Sequence, residues 1–185
     1  MNRLLYIHGF RSVGLCYKGS IIKQFAPDAL TPNLPYPPKL AMALLEDLIN
    51  FYLKTSQSLC LIGSSLGGYY ATYLAEKYQL KAILINPVID AYKTLYPAIG
   101  RVNISYNQKS FLWTKDLLED LRDFQISCIT PTHYLVLLQK GDKILDYKIA
   151  ASFFSQCQLV IEEKGSHHFD NFESKKDLIL SFANF

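Results

Sequence analysis

The sequence predicts an α/β fold, a mostly parallel six-stranded sheet with helices on both faces. Three observations carry this. Short apolar runs recur at residues 4–7, 59–62, 81–85, 133–139 and 158–162, with a weaker one at 29–34. Helical periodicity fills the intervals, best seen where Leu40, Leu44, Leu45, Leu48, Ile49 and Tyr52 share one face. Residues able to do chemistry also follow the strands: 8–10 after the first, Ser65 after the third, Asp142 after the fifth and His167 after the sixth. A parallel sheet puts all four on its carboxyl edge, where such folds bind ligands.

The remaining elements follow from local signals. A short helix is expected over 18–25, closed by Pro27. Pro35, Pro37 and Pro38 break the chain and start the next helix. Residues 66–78 read as a helix, and Asn86-Pro87 stops the strand at 81–85. The interval 88–131 interrupts the alternation; it holds Tyr92, Tyr96, Tyr106, Phe111 and Trp113, then a helical stretch at 115–124. Helices at 147–156 and 173–183 flank the last strand and the loop 163–172.

Bulk properties narrow the function classes. A chain of 185 residues buries a useful core as one domain, residues 1–185. With 50% hydrophobic and 19% charged residues it is not disordered. The net charge of +3 comes from scattered lysines, and Lys175-Lys176 is the longest basic pair, so no nucleic-acid or membrane footprint is expected. Cys16, Cys60, Cys128 and Cys157 form no C-x-x-C pair, which argues against zinc and thioredoxin-type sites. The apolar run before His8 is too short for a signal peptide, and no segment reaches membrane-spanning length. A cytoplasmic location is the expectation.

The chemistry centres on Gly63-Ser64-Ser65-Leu66-Gly67, between an apolar strand and a helix. That order makes Gly-x-Ser-x-Gly a nucleophile elbow. A serine on so sharp a turn has a strained backbone and needs small neighbours. A Gly-Ser turn that merely joins strand to helix would carry the same five residues, so the partners matter. A serine hydroxyl needs a base, and the chain has four histidines. His133 starts a strand on the far edge and reads as structural. His8 is placed to order the loop whose Phe10 N–H, with the N–H of Leu66, would form an oxyanion hole. His167 in Gly165-Ser166-His167-His168 is the expected base, with His168 the fallback. Asp142 is the expected orienting carboxylate, just past the strongest strand. Asp146 is its rival, with an alternative role as a helix N-cap, and Asp170 lies too near His167 in sequence to orient it easily. The order serine, acid, histidine fits Asp142 and Asp146 equally.

These motifs resemble the small bacterial YqiA/YcfP-type esterases of the α/β-hydrolase superfamily across nearly the whole chain. The resemblance rests on Tyr6-Ile7-His8-Gly9-Phe10 with Ser12 and Lys18, on Leu34-Pro35 and on the elbow through Ala71. It continues through Asn86-Pro87, Leu138-Gln139-Lys140-Gly141-Asp142, Leu145-Asp146-Tyr147, and Gly165-Ser166-His167 with Phe169, Phe172 and Glu173. It implies an esterase or thioesterase with Ser65, Asp142 and His167 as the triad. Val13-Gly14 stands where the family has Ser-Pro, Cys16 where serine is common, and Val88-Ile89 where it tends to carry Arg-Pro.

The expected activity is hydrolysis of a small-molecule ester or thioester through an acyl-enzyme, with no metal or cofactor. Residues 88–131 are expected to form a lid with an apolar acyl pocket. A ligand-binding protein on the same fold and an amidase or peptidase with the same triad are the competing readings.

Overall fold

The computed structural model describes residues 3–55, 58–104 and 109–184. The first half contains strand β1 (Arg3–Ile7), helices α1 (Tyr17–Phe25) and α2 (Pro38–Lys54), strand β2 (Leu59–Ser64), helix α3 (Leu66–Tyr78) and strand β3 (Lys81–Ile85). Helix α4 (Ala91–Leu95), strands β4 (Gly100–Asn103) and β5 (Ser110–Trp113), and helix α5 (Lys115–Asp120) come next. Strand β6 (Tyr134–Gln139), helix α6 (Tyr147–Phe153), strand β7 (Gln158–Glu162) and helix α7 (Lys176–Ala183) complete the chain.

Five strands, not six, form the main sheet, in the order β1-β2-β3-β6-β7 and all parallel. The weak strand expected at 29–34 shrinks to a single bridge between Leu30 and Leu5. Leu30 donates to the Leu4 carbonyl and accepts from the Tyr6 N–H, each at 2.8 Å. Pro32, two residues on, has no N–H to continue a ladder.

Alternation along each strand splits the core into two layers. Leu5, Ile7, Leu61, Leu84, Val136 and Leu138 face α2, α3 and α6. Leu4, Tyr6, Ile62, Ile83, Ile85 and Leu137 face α1 and α7 through Ile22 and Ile179. Helix α2 shows how the sequence specifies its element. Pro38 occupies the first helical position, where a missing N–H costs nothing, and Ala41, Met42, Leu45 and Ile49 form the buried stripe.

Several helix ends are shorter or tighter than the periodicity suggests. The stretch expected as a helix at 115–124 passes into a 3-10 turn, Leu121–Phe124, and the closing helix is preceded by another, Phe172–Lys175. Within 88–131 the chain forms α4, an antiparallel β4–β5 hairpin that the apolar and helical patterns do not predict, and α5. Tyr106, one of the aromatics of that interval, lies outside the described residues. The hairpin packs onto the loop after β1. Phe10 meets Phe111 and Trp113 edge-on, with ring centroids 5.7 and 5.0 Å apart, and Tyr36 stacks on Phe111 at 4.5 Å. Among the described residues no helix is long and apolar enough to cross a membrane.

Because the sheet is parallel, the segments leaving β1, β2, β3, β6 and β7 all emerge on one edge. They carry His8, Ser65, Asn86, Asp142 and His167.

Candidate active site

Ser65 sits between β2 and α3 with φ 55° and ψ −119°, a strained conformation for a residue with a side chain. Its backbone is held at several points. The Ser65 N–H donates to the Ile85 carbonyl at 3.0 Å, and its own carbonyl accepts from Gly68 at 2.9 Å and Val88 at 3.1 Å. Helix α3 can start here only because Gly67 lets it approach β1. A Cβ at Gly67 would fall 2.0 Å from the Ile7 carbonyl oxygen.

His167 and Asp142 meet this serine in one hydrogen-bonded line. His167 Nε2 lies 3.0 Å from Ser65 Oγ, and His167 Nδ1 lies 2.7 Å from Asp142 Oδ2. An ionised carboxylate only accepts, so Nδ1 carries the proton and Nε2 is left to accept from the serine hydroxyl. The other carboxylate oxygen of Asp142 accepts from the Ile144 and Leu145 N–H groups at 2.8 and 2.9 Å. Burial pushes the Asp142 carboxyl up, but the His167 and backbone donors outweigh it and hold the group below its ordinary 3.8. The Asp142 side chain is 1% exposed and that of His167 is 17% exposed, so the imidazole alone can reach an incoming molecule.

The rival residues have other work. Asp146 caps α6, accepting from the Lys148 N–H at 3.0 Å. Asp170 accepts from the Ser166 hydroxyl. His168 is exposed, and its carbonyl accepts from Lys18 Nζ at 2.8 Å. His133 lies in the turn before β6, at the opposite edge of the sheet.

His8 is buried, and its ring spans two backbone groups. Nε2 accepts from the Leu34 N–H at 3.0 Å, which leaves Nδ1 to donate to the Gly9 carbonyl at 2.9 Å. Burial pulls its pKa below 6.5, against the opposing pull of that second bond. A neutral His8 therefore braces the loop that carries Phe10. That loop lies against the nucleophile turn: a Cβ at Gly9 would come 3.2 Å from Ser65 Cβ. Among the described residues no backbone carbonyl accepts from the Phe10 or Leu66 N–H. Leu66 is the first residue of α3, a position without an intrahelical acceptor.

Two side chains were not singled out from the residue pattern. Asn86 is 3% exposed and Gln139 1% exposed, each at the carboxyl end of its strand. Asn86 Nδ2 donates to the Ser166 and His167 carbonyls, and Gln139 Oε1 accepts from the Ser166 and Asp170 N–H groups. The two residues are themselves joined, the Gln139 N–H donating to Asn86 Oδ1 at 3.0 Å. An amide residue closing a mostly apolar strand is the available signal.

Two cavities flank the 9–12 loop. One, of about 540 Å³, is walled by Ser65, His167, Arg11 and Lys18. The other, of about 150 Å³, is mainly apolar, walled by Leu34, Tyr36, Leu66, Tyr70, Ile104 and Phe111, with Arg11 bordering it as well. Among the described residues no group of three or more His, Cys, Asp or Glu side chains is arranged to hold a metal. All four cysteines are free, and burial raises the Cys60 thiol to about 12 and that of Cys157 to about 11.

Comparison with known proteins places the chain and its fold. The model of an uncharacterised protein family, UPF0227, matches residues 3–184. Among solved structures, Est1E from Butyrivibrio proteoclasticus with bound ferulic acid is 12% identical, with a TM-score of 0.74 over 100% of this chain and 90% of its own. Mouse alpha/beta hydrolase domain-containing protein 10 is 14% identical, with a TM-score of 0.71 over 98% of this chain and 88% of its own. The esterase domain of a Rhodothermus marinus protein is 17% identical, with a TM-score of 0.70 over 98% of this chain and 86% of its own. At such identities these similarities establish the α/β-hydrolase fold.

Proposed function

The chain belongs to the uncharacterised protein family UPF0227, the YqiA/YcfP-type family, and we propose that it is a serine hydrolase of carboxylic esters or acyl thioesters such as acyl-CoA. The observation that carries this reading is the line Asp142–His167–Ser65, closed at 2.7 and 3.0 Å. His167 takes the hydroxyl proton as Ser65 Oγ attacks the substrate carbonyl carbon. Negative charge collects on the carbonyl oxygen, held by the Phe10 and Leu66 N–H groups. His167 then gives its proton to the leaving oxygen or sulfur as that bond breaks, leaving an acyl-serine. Water, deprotonated by the same imidazole, attacks the acyl carbon and frees the acid and Ser65. Asp142 keeps the imidazole in the right tautomer and stabilises the imidazolium in both steps.

Residues 88–131 serve as the lid on the acyl side. Ile104 and Phe111 of that interval wall the apolar cavity, which supports this role. Esters and thioesters rank above amides because nothing at the site offers special activation of an amine leaving group.

The test is stopped-flow hydrolysis of ester and acyl-thioester panels of graded chain length. A burst of leaving group equal to the concentration of active protein, followed by slower turnover, is expected from an acyl-enzyme. Folded protein that cleaves no member of either panel would overturn the proposal and bring a binding role forward.

A further inference from the structure

The larger cavity beside Ser65 has a charge that the hydrolytic chemistry does not require. Its walls include Arg11 and Lys18 and no Asp or Glu. Lys18 lies in the first turn of α1, is 7% exposed, and among the described residues makes one hydrogen bond, to the His168 carbonyl. Among the described residues neither Lys18 nor Arg11 forms an ion pair. An ammonium has three donors, and burying one without a carboxylate is costly. Burial pulls the Lys18 pKa down, partly offset by Cys16 and by Asp170, the latter exposed and engaged with Ser166. Arg11 adopts a left-handed φ of 63°, and its Nε donates to the Asn103 carbonyl at 2.9 Å, tying this second cation to the end of β4.

The two cavities divide the substrate. The acid that protonates the leaving group is His167, so the leaving group must lie where that imidazole reaches. His167 walls the cationic cavity and not the apolar one. Leu66, at the oxyanion side, walls the apolar cavity. The acyl chain thus belongs with Tyr36, Tyr70 and Phe111, and the leaving group belongs with Lys18, while Arg11 stands on the loop that borders both cavities.

We propose that the substrate's leaving group carries an anionic substituent, a carboxylate or a phosphate-type group, bound by Lys18 and Arg11. This rests on the serine-hydrolase reading. Lys18, held away from bulk water, attracts such a group more strongly than an ammonium at an open surface would, and the exposed Arg11 adds charge at the rim.

The test uses three phenyl butyrates carrying a carboxamide, a carboxylate or a phosphonate at the same ring position. Rates are corrected for leaving-group reactivity by the hydroxide-catalysed reaction. The native protein should favour one or both anionic esters over the carboxamide by tenfold or more in kcat/KM, and added salt should shrink that ratio. The preferred anion identifies the source. The ratio should fall severalfold in Lys18→Met and in Arg11→Gln, and Lys18→Arg should keep most of it. No anionic preference in the native protein, or a preference that survives both charge-removing substitutions, would overturn the proposal. Arg11 is exposed, so Arg11→Gln and the salt series decide the matter if Lys18→Met fails to fold. If no ester is cleaved, the hydrolase reading fails separately. Calorimetric binding of the three free phenols then tests the subsite: tighter binding of an anion, lost in Arg11→Gln, supports it, and equal binding overturns it.

Discussion

Asn86 holds the His167 loop from below, its Nδ2 donating to the His167 carbonyl at 3.3 Å and to the adjacent Ser166 carbonyl at 3.1 Å. Its Oδ1 is occupied by the Gln139 N–H, and its own N–H donates to the Leu137 carbonyl at 2.9 Å. The base is thus fixed to the ends of β3 and β6 through one buried amide, although it lies on a loop.

Asn86→Asp keeps the shape but replaces the donor by an oxygen facing two carbonyls. Losing two buried bonds and gaining that repulsion should displace the loop. A shift of about 1 Å in a reacting group costs on the order of a hundredfold. The expected result is a kcat lower by roughly that factor with KM little changed, and loss of the downfield Nδ1 proton signal of His167. Unchanged kcat with an intact signal would remove Asn86 from the positioning apparatus.

Asp142→Asn should cut kcat by about four orders of magnitude, because an amide presented to Nδ1 favours the wrong tautomer. The substitution also has a pH signature. The folded Asp142 carboxyl is held below its ordinary 3.8, so the stability it contributes is complete above that value. It is lost as pH falls through the lower folded value, once both states bind the proton. The gap in unfolding temperature between the native protein and Asp142→Asn should therefore be constant near neutrality and narrow below pH 3.8. A gap that stays constant into strong acid would contradict the assigned ionisation.

Tyr36 is 50% exposed, yet its ring is stacked on Phe111 and walls the apolar cavity. Tyr36→Ala removes that wall with a modest stability cost of about 1 kcal/mol for the lost ring pair. The optimum acyl length should move toward longer chains in the ester panel. An unmoved profile would take the acyl chain out of this cavity and the lid role away from residues 88–131.

Ser65 and the α/β layering were legible because each depends on local pattern: an apolar run, a small-residue turn and a helical period. Asp142 and Asp146 could not be separated that way, since both follow β6 in the same chain order. In the structure Asp146 caps α6, while Asp142 reaches His167 across 25 positions of sequence. The weak strand expected at 29–34 does not form, because its apolar residues suggest a strand while a ladder there needs an N–H that Pro32 lacks. The hairpin leaves no clear mark in the sequence because its strands are four residues each and the pairing is mutual. From sequence Asn86 and Gln139 look like strand ends only, because their partners in the 166–170 loop are distant along the chain.

The most direct measurement is the intact mass of the purified protein after reaction with a fluorophosphonate, with Ser65→Ala alongside. One adduct per chain, mapped to the peptide holding Ser65 and absent from Ser65→Ala, is the expected result. Folded native protein that takes up no adduct, or takes it up equally in Ser65→Ala, would contradict an activated nucleophile at Ser65.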